Sequence, residues 1–271
     1  MVEFHFWQYA LFGLFAGCYA TIVGLGGGFL VVPALVLLAG FSPQQAVATS
    51  LIVVFANAAS GNISYLRQKR IDIATGWRFG LASIPGSLVG VQICRHFTSN
   101  IFNVIFGILL VAASIFLTIR PGRTVHSSEA QVSQRPGLTF RRLVDSSGSV
   151  YEYAFNMKTG LLLSFFAGII SALFGVGGGI VYVPSLILLF GFPPHIATAT
   201  SFFVLLISSL AGAVFHGLCM HPVYSVGFSI AVGAVIGAQI GAAVSRRMRG
   251  ALIVRLFAAA LLFVGLRLAF G

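Results

Sequence analysis

The sequence predicts an all-α membrane protein made of two inverted repeats, each with a glycine-broken helix pair and about three spanning helices. Three observations carry this. Of 271 residues, 58% are hydrophobic and only 8% charged, whereas a soluble domain keeps about a quarter of its residues charged. Gly24-Leu25-Gly26-Gly27-Gly28 returns as Gly175-Val176-Gly177-Gly178-Gly179, and residues 24–50 agree with 175–201 at 16 of 27 positions. Basic residues gather in short loops between apolar segments, and they favour non-equivalent loops of the two copies.

Residues 4–23 are apolar and aromatic, the glycines interrupt, and an apolar run resumes over 29–38. At about 1.5 Å per residue that second run cannot cross about 30 Å of hydrocarbon. A helix pair broken at membrane depth follows, either a re-entrant hairpin or two short tilted spans. Pro33 and the glycines argue against one straight helix. Phe15-Ala16-Gly17-Cys18 faintly resembles a lipoprotein cleavage box but lacks a positive leader before it, so the N-terminus is expected to be retained.

Ser42-Pro43 reads as a helix start. The helix it opens, to about residue 66, is unusually polar, with Thr49, Ser50, Asn57, Ser60, Asn62 and Ser64. A basic loop with Arg67, Lys69 and Arg70 follows, then a span over 75–95 with Gly76, Gly80, Gly86 and Gly90 at close-packing spacing. Pro85 should kink that span, and an apolar segment over 99–119 ends the first membrane repeat, 1–119. Residues 120–158 form a polar linker holding Glu129, Asp145 and Glu152. Within it, 139–144 and 149–155 flank Asp145-Ser146-Ser147-Gly148 as a β-hairpin would. The second membrane repeat, 159–271, runs through the same order of segments. The offset between copies is 151 from Gly24 and Gly175 to Thr49 and Thr200. It falls to 147 when Gly237 and Gln239 are set against Gly90 and Gln92, which predicts a shorter loop after the second polar helix.

Charge decides orientation. With the loops at 67–72, 120–158 and 246–249 in the cytoplasm, 14 of the 16 basic residues lie on or near that side, leaving Arg95 and Arg267 outside. The halves are then inverted relative to one another, with both termini outward.

The net charge of +11 is accounted for by these loops, so no nucleic-acid partner is expected. Cys18, Cys94 and Cys219 lie far apart and suit neither a disulfide framework nor a metal site. His195, His216 and His221 fall near span ends and are expected at the membrane interface. No metal, cofactor or catalytic constellation is expected. Phe29 and Ile180 stand where a dinucleotide fingerprint needs its third glycine.

Inverted repeats with discontinuous helices place a substrate near the midplane, where half-helix N-termini offer free N–H groups and partial positive charge. No carboxylate lies deep in a span. A neutral site rich in donors favours an anion over a cation. The residues expected to bind it are Gly26, Gly27, Gly28, Gly177, Gly178 and Gly179, with the hydroxyls of Thr49, Ser50, Thr200 and Ser201. Asn57 and Ser208 are further candidates, and Gln92 and Gln239 serve equally well as links between helices.

The duplicated pattern of GxGGG, a proline five residues on, then GF-x-P and A-T-S resembles the TauE/SafE family of sulfite exporters. Both copies are intact: Gly24, Gly26–Gly28, Pro33, Pro43, Thr49 and Ser50, and Gly175, Gly177–Gly179, Pro184, Pro194, Thr200 and Ser201. The resemblance implies a multi-pass permease of the plasma (inner) membrane that exports sulfite or an organosulfonate. Its partners would be that small anion and the lipid bilayer, and homodimer formation is left open. A transporter of another small solute and a non-transporting membrane subunit are the alternatives. Cysteines placed singly in a Cys-free background test the topology: position 220 should react with an impermeant reagent from outside, while 69, 130 and 248 should be spared.

Overall fold

The computed structural model describes residues 6–119, 137–219 and 222–270. The opening of the predicted linker, with Arg120 and Glu129, lies outside the described residues, as do Glu3, position 220 and His221. The first half folds as α1 (Phe6–Val23), α2 (Gly28–Leu37), α3 (Pro43–Arg67), α4 (Ile73–Cys94) and α5 (Ser99–Ile119). A hairpin of β1 (Leu138–Val144) and β2 (Val150–Asn156) follows. The second half is α6 (Met157–Phe174), α7 (Gly179–Leu188), α8 (Pro194–Cys219), α9 (Tyr224–Ser245) and α10 (Gly250–Phe270).

Six of these helices (α1, α3, α6, α8, α9 and α10) are long and apolar enough to cross a membrane. The glycine-broken partners α2 and α7 have ten residues each, about 15 Å of helix, or half the hydrocarbon thickness. Trp7, Phe15, Leu218, Phe228 and Phe263 point outward from the bundle, as lipid-facing side chains do.

Every helix of the second half begins 151 residues after its counterpart, from Phe6 and Met157 to Ser99 and Gly250. The predicted fall to 147 is therefore wrong, and the second loop (220–223) is shorter than its counterpart (68–72) by one residue rather than four. Both α4 and α9 carry glycines four residues apart, so sliding one copy by a turn still lays glycine on glycine. In the true register Gly76, Gly86 and Gly90 match Gly227, Gly237 and Gly241, and Gln92 and Gln239 are not equivalent. α4 continues as helix through Pro85.

Packing follows the same register with the halves exchanged. α1 lies along α9 and α6 along α4, α3 and α8 pack together at the centre, and α5 lies against α10. A Cβ on Gly237 would strike the Leu14 carbonyl, and one on Gly86 would strike the Phe165 carbonyl, its counterpart. These backbones meet because no side chain stands between them. The polar faces of α3 and α8 turn inward, burying Thr49, Ser50, Asn57, Thr200, Ser201 and Ser208. Thr49 and Thr200 cap matching helices of the opposite half: Val223 N–H donates to Thr49 Oγ1 at 3.0 Å, and Asp72 N–H to Thr200 Oγ1 at 3.1 Å.

At one end of the bundle the loop after α3, the hairpin and the segments entering α8 and α10 come together. Ser146 N–H donates to the Gln68 carbonyl at 3.0 Å, Phe155 packs on Phe190 and Phe192, and Gly250 rests on the Pro194 ring. Elsewhere, the Gln44 amide donates to the Phe97 carbonyl at 2.7 Å, joining the start of α3 to the loop after α4.

The hairpin turns at Asp145, whose carboxylate accepts from the Ser147 and Ser149 N–H groups at 2.8 and 3.0 Å. Burial opposes its ionisation, but the Ser147 and Ser149 hydrogen bonds and Arg70, 3.7 Å away, outweigh that and hold the carboxyl below its usual range. The hairpin is anchored rather than a loose linker. Tyr153 is fully buried and donates to Asp72 Oδ2 at 3.1 Å, while Arg141 lies 3.6 Å from the same oxygen. Burial and then the Asp72 carboxylate push the Tyr153 phenol well up.

Asp72 also caps α4 by accepting from Thr75 N–H at 3.1 Å. Asp72→Ala should lower stability by about 2–4 kcal/mol, through the lost cap and the orphaned Tyr153 and Arg141. Tyr153→Phe should cost only about 1 kcal/mol, and thermal unfolding in detergent measures both.

Candidate functional site

Each loop is built by three left-handed glycines: Gly24, Gly26 and Gly27 have φ of 89°, 78° and 98°, and Gly175, Gly177 and Gly178 have 71°, 72° and 83°. A side chain at such φ costs about 1–2 kcal/mol, so the spacing of the motif is a backbone requirement. Gly24 and Gly175 end the preceding helices, donating to the Ala20 and Ser171 carbonyls at 2.8 and 2.9 Å. Gly27 and Gly178 stand at the start of α2 and α7 without any side-chain cap.

The two loops meet. A Cβ on Gly28 would collide with the Gly175 carbonyl, and one on Gly179 would sit 2.8 Å from the Gly24 carbonyl oxygen. Each of these carbonyls also receives a serine from the opposite half. Ser50 Oγ lies 2.8 Å from the Gly175 oxygen and Ser201 Oγ lies 3.1 Å from the Gly24 oxygen. Both hydroxyls also approach a carbonyl of their own helix, Val47 and Thr198 respectively, at 2.9 Å. Asn57 Nδ2 donates to the Gly26 carbonyl at 3.2 Å, and Ser208, its counterpart, lies 3.0 Å from Ser171 Oγ.

The Gly24, Gly26, Gly27, Gly175 and Gly178 carbonyls are thus supplied with donors, while most of the loop N–H groups are not given backbone acceptors. In the first loop Gly24 and Leu25 donate to Ala20, and Leu30 and Val31 donate to Gly27. Among the described residues, the N–H groups of 26–29 find no backbone carbonyl, and the same holds for 176–180 in the second loop. Both groups of donors are buried at half-helix N-termini, where the dipole adds partial positive charge. The three carboxylates among the described residues, Asp72, Asp145 and Glu152, all pair with arginines at the hairpin end. A buried set of N–H donors without a nearby acid is suited to receiving an anion.

The structure therefore gathers Gly26, Gly28, Ser50, Asn57, Gly177, Gly179 and Ser201 around one centre. Gly27 and Gly178 lie behind it, facing α1 and α6 through Ala16 and Ala167, and Thr49 and Thr200 lie off it as helix caps. Sequence reasoning missed Val54 and Leu205, equivalent residues that both approach Gly26 and Gly177 and fill the space between the loops. Their signal is present: each stands one helical turn after Ser50 or Ser201 and shares their face. Gln239 is a helix link, donating to the Ser60 carbonyl at 2.6 Å, and Gln92 is exposed beside Arg95. His216, expected at the membrane interface, is fully enclosed, with Nε2 2.7 Å from the Ala172 carbonyl. His195 is half-buried at the start of α8.

A multi-pass helical bundle centred on two facing glycine loops defines an integral membrane protein of duplicated design. The sulfite exporter TauE/SafE family model matches residues 9–268, and the chain belongs to that family. It is 33% identical to the probable membrane transporter protein YunE of Bacillus subtilis, over 94% of each chain. It is 27% identical to the probable membrane transporter protein MJ0441 of Methanocaldococcus jannaschii, over 74% of this chain and 68% of that one. The probable membrane transporter protein YfcA of Escherichia coli K12 is 24% identical, over 81% of this chain and 73% of its own. No solved structure matches. The fold and these relatives make the chain a membrane transporter.

Ser50→Ala and Ser201→Ala should each lower stability by roughly 1 kcal/mol, measured by thermal unfolding in detergent. The double variant should lose more than the sum, because both loops then lose their tie to the opposite half.

Proposed function

We propose that the protein is a secondary transporter that exports a small sulfur-containing anion, sulfite or an organosulfonate, across the plasma membrane. The anion binds near the midplane, its oxygens taking hydrogen bonds from backbone N–H groups of the two glycine loops. The observation that carries this is the pair of buried loops in which the Gly24, Gly26 and Gly175 carbonyls take side-chain donors while the N–H groups of 26–29 and 176–180 find no backbone carbonyl. Val54 and Leu205, which fill the space between the loops in this structure, move aside to admit the anion and then wall it in, strengthening hydrogen bonds to a charged ligand by excluding water. Sulfite enters the proposal from the family name and sulfonates from the resemblance that the motif carries; the donor chemistry itself selects an oxyanion.

The two halves stand inverted in the bilayer. In support, segments 67–72 and 246–249 carry three basic residues each, whereas their equivalents 218–223 and 95–98 carry none and one. Helix pairing that is unchanged when the halves are exchanged also fits this arrangement. Such symmetry allows rocking of one half against the other around a fixed central site. Net export of a monovalent anion then gains about 2.3 kcal/mol per 100 mV from an interior-negative potential.

Proteoliposomes loaded in turn with labelled sulfite, a sulfonate and sulfate, under clamped potential, test the proposal. Potential-driven sulfite or sulfonate efflux is expected. Gly26→Leu and Gly177→Leu, whose side chains would enter the space between the loops beside Val54 and Leu205, should each cut flux to below about a tenth while the protein still reaches the membrane. Unchanged flux in both variants would show that the loops serve packing alone.

A further inference from the structure

A cavity of about 770 Å³ opens between the ends of α3 and α9, lined by Ser64, Arg67, Gln68, Val244, Arg246 and Arg247 among others. It is separate from the glycine loops. Its three arginines are exposed, and none has a carboxylate partner among the described residues. We propose that this cavity binds the phosphodiester headgroup of an anionic membrane phospholipid.

Three features select a headgroup over a small free anion. The first is size: the cavity falls in the range that takes ligands of many atoms, far beyond what sulfite or phosphate needs. Next, the neighbouring turns of the same helices present Ile63, Leu66, Ile240 and Val244 outward. Acyl chains can lie along those residues while the headgroup meets the arginines, because basic pockets at helix ends sit at headgroup level. Finally, Gln68 is 8% exposed, and its Oε1 is buried without a hydrogen-bond partner while its Nε2 donates to the Ala242 carbonyl at 3.1 Å. An unfilled acceptor beside three cations calls for a ligand with a donor as well as a phosphate, such as the glycerol hydroxyls of phosphatidylglycerol.

The full chain, purified in detergent and stripped of lipid, should gain thermal stability on titration with phosphatidylglycerol. It should gain much less with phosphatidylcholine, whose headgroup has no donor. Replacing all three arginines with glutamine (R67Q, R246Q, R247Q) should weaken phosphatidylglycerol binding about a hundredfold, at roughly 1 kcal/mol per arginine. Native mass spectrometry of the unaltered protein gives a reading that needs no variant: one phosphatidylglycerol should stay bound after delipidation that strips phosphatidylcholine. Equal stabilisation by both lipids, or equal affinity in the triple variant, would overturn the proposal. So would inorganic phosphate or sulfite competing with the lipid at like concentration, which would assign the cavity to a free oxyanion.

Discussion

Each glycine loop is tied down by a serine from the other half of the molecule. Ser50 reaches the Gly175 carbonyl and Ser201 the Gly24 carbonyl, through a backbone contact so close that Gly28 and Gly179 can carry no side chain. Much of the bundle serves this contact. α3 and α8 must run through the centre, because they carry the serines and meet there. With that position taken, α1 and α6 pack outside, against α9 and α4, where rows of glycine let backbones touch. α2 and α7 start at the loops, where Leu30 and Val31, and Val181 and Tyr182, donate back to the Gly27 and Gly178 carbonyls.

The same contact explains the polarity of the centre. A buried backbone group without a partner is costly, and here the cost is distributed unevenly. Carbonyl oxygens receive Ser50, Ser201 and Asn57, while the N–H groups of 26–29 and 176–180 find no backbone carbonyl. That imbalance leaves a chain with few buried charges a centre whose polarity is held in main-chain geometry.

Much of this was legible in the sequence, because the duplicated motif is a statement about backbone angles. Positive φ at three places in five residues leaves glycine as the only comfortable choice, and a proline and a polar helix at fixed distances follow it. The hairpin was legible too, from the turn residues Asp145-Ser146-Ser147-Gly148 between two short runs. What was hidden depends on meetings between distant residues. Ser50 is separated from Gly175 by 125 positions, and Tyr153 from Asp72 by 81, so neither partner is visible from spacing. Thr49 and Thr200 carry the same hydroxyl as their serine neighbours, yet they cap helices because successive residues on a helix face different sides. The error in register came from self-similarity: glycines a turn apart look alike when slid by a turn.

The hairpin occurs once, whereas the core it rests on occurs twice. A molecule whose halves are interchangeable would have two resting forms related by a two-fold rotation, equal in free energy and occupied in equal amounts. Tyr153 and Arg141 on Asp72, and Asp145 on Arg70, add attraction at one end and none at the other. A difference of about 1.4 kcal/mol already shifts such a balance tenfold. The inserted strands therefore break the equivalence of the two ends: in a duplicated molecule they make one end the more firmly held.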